Sequence, residues 1–83
     1  EREMRLDKFL KNSRIIKRRT VAKEACEAGR VQVNGKESKP GTELSVGDKI
    51  TVTFGNSILN VQVTELIESP RKEDAQKMYI VID

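Results

Sequence analysis

Residues 29–36 read Gly29-Arg30-Val31-Gln32-Val33-Asn34-Gly35-Lys36, and the fold turns on them. Before Gly29 apolar side chains recur every three or four residues, and after it every second residue, the difference between a helix and a half-buried strand. Val31 and Val33 alternate with Gln32 and run into Asn34-Gly35, the preferred pair for a tight type I′ hairpin turn. Gly29 stands just past the last helical position, where a left-handed residue closes the helix. This octapeptide therefore predicts a helix end, a strand and a hairpin in immediate succession.

Upstream, Val21, Ala22, Ala25, Cys26 and Ala28 fall on one side of a helical wheel, with Thr20, Lys23, Glu24 and Glu27 on the other. The small residues let a neighbouring element approach closely. Lys17, Arg18 and Arg19 occupy the cap region of this second helix, where Ser, Thr or Asp would satisfy the free amides, and their charge opposes the macrodipole. Two readings stay open: an anion binds among these side chains and amides, or Thr20 caps and the arginines point away. Further back, Leu6, Phe9, Leu10 and Ser13 repeat at i, i+3, i+4 and i+7, predicting a first helix from about Met4 to Asn12. Arg5, Lys8 and Lys11 stand on its far side. Glu1 to Glu3 precede the pattern.

Downstream, Lys36 to Gly47 is rich in turn signals such as Pro40-Gly41 and Gly47-Asp48. Ile50, Val52 and Phe54 alternate with polar residues as a half-buried strand, Gly55-Asn56 turns the chain, and Leu59, Val61 and Val63 form the next strand. The apolar parity shifts at Leu66, which predicts a bulge near Thr64 or Glu65. Ser69-Pro70 predicts a short polar helix to about Lys77, with proline at its first position, and Met78 to Ile82 a closing strand. Glycines at 29, 35, 41 and 47 are six apart, but their neighbours do not repeat, so the spacing is turn chemistry rather than a solenoid.

The 83 residues fit one small domain. The expected organisation is a single RNA-binding domain over 1–83, with a core at about 4–54 and a strand–helix–strand extension at about 55–83. The longest apolar run is five residues, far below the roughly 20 of a spanning helix, and no export signal precedes it, so a cytoplasmic protein is expected. With one cysteine and no histidine, an internal disulfide, histidine-dependent triads and the commonest zinc sites are ruled out. Cys26 shares a face with Ala22 and Ala25 and is expected in the core. Asp7, Glu73 and Asp74 are expected to make salt bridges or caps rather than act as catalytic acids. No glycine-rich phosphate cradle is present.

Charge is segregated. The net charge is +3 over the whole chain, yet between Arg5 and Lys23 eight cations face Asp7 alone. That is the footprint of a surface that meets polyanions, against the alternative of a solvated face, which ordinarily mixes signs. The three aromatics, Phe9, Phe54 and Tyr79, all fall within apolar patterns, leaving no platform for unpaired bases. Folded or double-helical RNA, held through its phosphates, is the expected ligand.

Met4-Arg5-Leu6-Asp7-Lys8-Phe9-Leu10, Lys17-Arg18-Arg19-Thr20-Val21-Ala22, the 29–36 octapeptide and Val46-Gly47-Asp48-Lys49-Ile50 resemble, in order and spacing, the S4 (S-four) RNA-binding domain. The resemblance covers Arg5 to about Val52. Most members carry serine where this chain has Arg18. Lys-Arg-Arg-Thr, the Thr-Val-Thr-Phe-Gly strand and the Met-Tyr closing strand are most similar to short members of the family acting in bacterial ribosome-associated quality control. For such a member the resemblance implies binding to ribosomal RNA of the large subunit beside a P-site transfer RNA, with a nascent-chain tailing factor as partner. A heat-shock-type binder of dissociated large subunits, which normally carries a longer basic C-terminal extension, is the alternative, and a protein-interaction module is another.

The fold class expected is α+β, two N-terminal helices packed on a small, mostly antiparallel sheet. The expected RNA contacts are Arg5, Lys8, Lys11, Lys17, Arg18, Arg19 and Lys23. Arg5 and Arg19 lead because they match arginines at the start of each helix in the family pattern. Asn34 and Gly35 are assigned to turn geometry. No catalytic residue, cofactor or metal is expected, and with no heptad pattern or apolar stripe the free chain should be a monomer.

Overall fold

The first amphipathic stripe folds as its spacing dictates: Leu6, Phe9 and Leu10 have no exposed surface and Ser13 almost none. In the computed structural model, which describes residues 4–82, the elements run β1 (Met4–Arg5), α1 (Leu6–Asn12), α2 (Arg19–Glu27), β2 (Val31–Val33), β3 (Lys36–Glu37), β4 (Glu43–Leu44), β5 (Lys49–Phe54), β6 (Ser57–Val63), α3 (Lys72–Ala75) and β7 (Tyr79–Val81). Glu1 to Glu3 lie outside the described residues. The architecture is α+β, with α1 and α2 packed on each other and α2 against β2. All pairing is antiparallel, in a five-stranded sheet of order β3-β2-β5-β6-β7 and a separate β1-β4 ladder.

Register follows the alternation. Val31 faces Val52 and Val33 faces Ile50, while Ile50 faces Val61 and Val52 faces Leu59. One row of β-branched side chains thus meets Leu6, Phe9, Leu10, Ala22 and Cys26 in a single core. Burying each larger apolar side chain contributes about 1.5–3 kcal/mol, so these rows outweigh the low apolar content of the chain. Asn34 (φ 53°) and Gly35 (φ 85°) both take left-handed backbone, as a type I′ turn requires. The Asn34 side chain accepts from the Lys49 amide at 3.0 Å and donates to Asp48 at 3.3 Å, fastening the turn to β5.

Both long helices close on a left-handed residue. After α2, the Gly29 amide donates to Cys26 and the Arg30 amide to Ala25, the paired bonds of a Schellman motif with Gly29 at φ 76°. A Cβ on Gly29 would also lie 3.1 Å from the Glu37 carboxylate. After α1 the equivalent residue is Arg14, at φ 64°, with its amide on the Lys11 carbonyl and that of Ile16 on Leu10.

Several expectations need correction. Met4 and Arg5 belong to β1 rather than α1, because their backbone is captured by Glu43 and Leu44. Val21 is 46% exposed and Ala28 exposed, so the buried face of α2 narrows to Ala22 and Cys26, with Ala25 partly covered. Pro70 precedes the cap of α3, which begins at Lys72; Asp74 takes the Arg71 amide at 3.2 Å. Phe54, at the end of β5, lines an open cavity with Val21 and Ala25 of α2 and is 44% exposed, and Ile58, Ile80 and Val81 are exposed as well. The parity shift at Leu66 has the expected cause: the amides of Thr64 and Glu65 both donate to the Met78 carbonyl, two residues against one.

Candidate nucleic-acid interface

Asp7 organises the cationic face. It lies in the first turn of α1 and is 3% exposed. Its Oδ1 accepts the Lys8 amide at 2.8 Å and Arg5 Nε at 3.3 Å, and its Oδ2 accepts Arg19 Nε at 3.4 Å. Burial alone would push this carboxyl up, but the hydrogen bonds and charges of Arg19 and Arg5 outweigh it and hold Asp7 below the usual carboxylate range. One anion thus joins the start of α2 to the start of α1. It leaves about half of each arginine side chain exposed, 53% for Arg5 and 48% for Arg19. Asp7 therefore fixes the aim of two guanidinium groups whose solvent side can meet phosphate oxygens.

The N-terminus of α2 is not capped by Thr20. Arg18 is the cap residue and makes no side-chain cap bond, Arg19 is the first helical residue, and no acid lies in the first turn. Thr20 sits inside the helix. The first-turn amides therefore face outward among Arg18 and Arg19, with Lys23 exposed one turn further on.

The other expected contacts divide. Lys8 is tied to Glu68 by an ion pair, whereas Lys11 and Lys17 line an open cleft of about 600 Å³ together with Asn12, Arg14, Glu68, Ser69 and Pro70. The far wall of this cleft is held by Asn12, which is buried and donates to the carbonyls of Ile67 at 3.2 Å and Glu68 at 3.1 Å. Among the described residues, Lys11, Arg14, Lys17, Arg18 and Lys23 make no ion pair. Sequence reasoning counted Arg14 in the charge field but not among the contacts, and it missed Asn12 and the organising role of Asp7. The expected salt bridges of Asp7 are present, but nothing in the pattern named Arg5 and Arg19 together as its partners, and only the polar break at the end of the apolar stripe hinted at Asn12.

Cys26 is buried, and burial first, then the charges of Asp7 and Glu27, push its thiol up to about 11, the behaviour of a packing residue. Among the described residues no cluster of His, Cys, Asp or Glu could hold a metal ion, and no helix is long and apolar enough to cross a membrane.

The family model of the S4 domain matches residues 4–50. The chain is 56% identical to the "RQC P-site tRNA stabilizing factor" of Streptococcus pneumoniae, across 95% of this chain and 90% of that protein. Against the protein of the same name from Bacillus subtilis it is 49% identical, over 95% and 92%. Among solved structures, Heat Shock Protein 15 of Vibrio cholerae, described as trimeric, superposes with a TM-score of 0.90 at 30% identity, covering 98% of this chain and 83% of that one.

Proposed function

Because the chain belongs to the S4 domain family, we propose that it binds structured RNA on the large ribosomal subunit and stabilises a P-site transfer RNA during ribosome-associated quality control of stalled chains. It acts by binding, without catalysis, as an RNA-binding protein in which β6 and β7 extend the sheet of the matched segment. The observation that carries this reading is the Arg5–Asp7–Arg19 arrangement, which lies inside the matched segment and presents two oriented guanidinium groups beside the uncapped start of α2. Lys11, Lys17, Arg18 and Lys23 complete the contact surface, and Lys8 joins it only by leaving Glu68. A nascent-chain tailing factor is the protein partner of this reading, the free chain is a monomer, and its place is on cytoplasmic ribosomes.

A second reading, binding of dissociated large subunits in the manner of a heat-shock protein, draws on the likeness to Heat Shock Protein 15. It is weaker, because identity to the P-site factors is higher, at 49–56%. Cosedimentation with empty large subunits and with subunits carrying peptidyl-transfer RNA separates the two: preference for the transfer-RNA-loaded particle supports the first, and indifference to it the second. Five phosphate contacts would give a log–log salt slope of about −3 to −5. Arg19→Ala should lower its magnitude by about one while Lys72→Ala leaves it unchanged. Salt-insensitive association would sink the RNA reading and leave a protein-interaction module.

A further inference from the structure

Arg14 is an unusual choice for its place. The residue that closes a helix in left-handed backbone is ordinarily glycine or asparagine, as Gly29 is for α2, because a Cβ there crowds the backbone. Arg14 takes that conformation at φ 64°. Nothing internal rewards the arginine: it is exposed and makes no ion pair among the described residues. What it does is stand with Lys11 and Lys17 on one side of the 600 Å³ cleft. Strain of this kind persists where a surrounding structure or a ligand makes use of it.

The opposite wall is built, not incidental. Two Asn12 bonds hold the backbone of Ile67 and Glu68 against the end of α1, and the Glu68 carboxylate is taken up by Lys8. The one acid on the cleft is therefore compensated from outside it, and the lining keeps the excess charge of Lys11, Arg14 and Lys17. Ser69 adds a hydroxyl to the rim. Glu68, Ser69 and Pro70 fall outside the matched 4–50 segment, so this wall belongs to the C-terminal extension.

We propose that this cleft is a second phosphate seat, separate from the Asp7-organised face, in which Lys11, Arg14 and Lys17 take up phosphodiester oxygens of the RNA backbone. Arg14 holds its strained conformation to bring a guanidinium with five N–H donors to the cleft beside the lysines. The proposal rests on the RNA-binding reading and deepens it: the extension past residue 54 contributes to the RNA site as well as to the sheet.

The decisive variant is Arg14→Gly, which relieves the backbone and removes the cation together. Its melting temperature should rise by about 3–6 °C. Its affinity for a labelled large-subunit ribosomal RNA fragment should fall roughly tenfold, the worth of one charge-assisted hydrogen-bonded contact. Lys17→Gln should lose affinity at unchanged stability, and Ser69→Glu, which puts an anion on the rim, should do the same. Combined with Arg19→Ala, the Arg14→Gly loss should multiply, as expected for separate seats. If the parent binds this RNA and Arg14→Gly binds equally well, the cleft proposal is overturned while the RNA reading stands. If the parent binds no RNA, that reading falls, and the cleft is judged by inorganic pyrophosphate: a shift of the Arg14 Nε–H resonance supports the seat, and its absence overturns it.

Discussion

Helices α1 and α2 lie side by side and each closes on a left-handed residue, but in one it is arginine and in the other glycine. Their starts differ as well. α1 opens with Asp7, which satisfies an amide and holds two arginines, whereas α2 opens with Arg18 and Arg19 and no acid at all. In α2, then, the helix is strongly closed at its end and left without a cap or an acid at its start. In α1 the order is reversed. Local rules are broken at two points, the α2 start and the α1 end, and at each stands a cation, Arg18 or Arg14, that makes no ion pair among the described residues.

The largest test of this contrast is Asp7→Ala, which strips α1 of its sound start and both arginines of their anchor. It should cost about 2–3 kcal/mol in urea unfolding, most of it from the lost buried bonds. A milder form has a pH signature. The carboxyl is held below its ordinary value of 3.8 in the fold, so its contribution is complete above that value and is lost as pH falls through the depressed one. Between about pH 5 and pH 2 the parent should therefore lose more stability than Asp7→Asn. Equal acid profiles would mean that Asp7 is not ionised as the geometry requires.

Gly29→Ala should come next, destabilising by about 1–2 kcal/mol, since it adds left-handed strain and a contact with Glu37. It is the mirror of Arg14→Gly, and the two must have opposite signs in thermal melts; a shared sign would dissolve the comparison. The smallest difference separates two cations of α2. Arg19→Ala should cost about 1 kcal/mol, because it removes a partner of buried Asp7, while Lys23→Ala should stay within about 0.5 kcal/mol. Composition alone would treat both as expendable surface charges, and matching melts for the pair would restore that view.

What the sequence disclosed and what it concealed follow one division. The stripe of Leu6, Phe9 and Leu10, the Asn34-Gly35 turn and the bulge at Thr64 and Glu65 are periodic or local, so neighbouring residues announce them. β1 was invisible because it is two residues long and its partner lies about forty positions away. The exposure of Phe54 could not be read either: alternation tells which face a side chain takes, not how tightly that face is packed at the strand's end. Of the candidate site, the cations were legible from charge segregation and their leaders from the family resemblance. Their sorting into an Asp7-held pair, a Glu68-held lysine and a cleft trio depends on contacts between distant segments. Arg14 hid because left-handed backbone is legible at glycine and asparagine, not at arginine.

The β1-β4 ladder also sets an order of events. The β5-β6 hairpin closes across a two-residue turn, whereas Met4 and Arg5 must find Leu44 and Glu43 across a long loop, with the amides of Leu6 and Asp7 reaching Thr42 and Pro40 beyond them. Closing the longer loop costs more chain entropy and returns only a two-residue ladder. On chain entropy alone the sheet should condense before the N-terminal arm carrying Arg5 docks, and hydrogen exchange should open that arm ahead of β5 and β6. On the proposed reading, an RNA that grips Arg5 would act as a latch on that arm, and slow unfolding of the bound protein and its hold on RNA would then be one property measured in two ways.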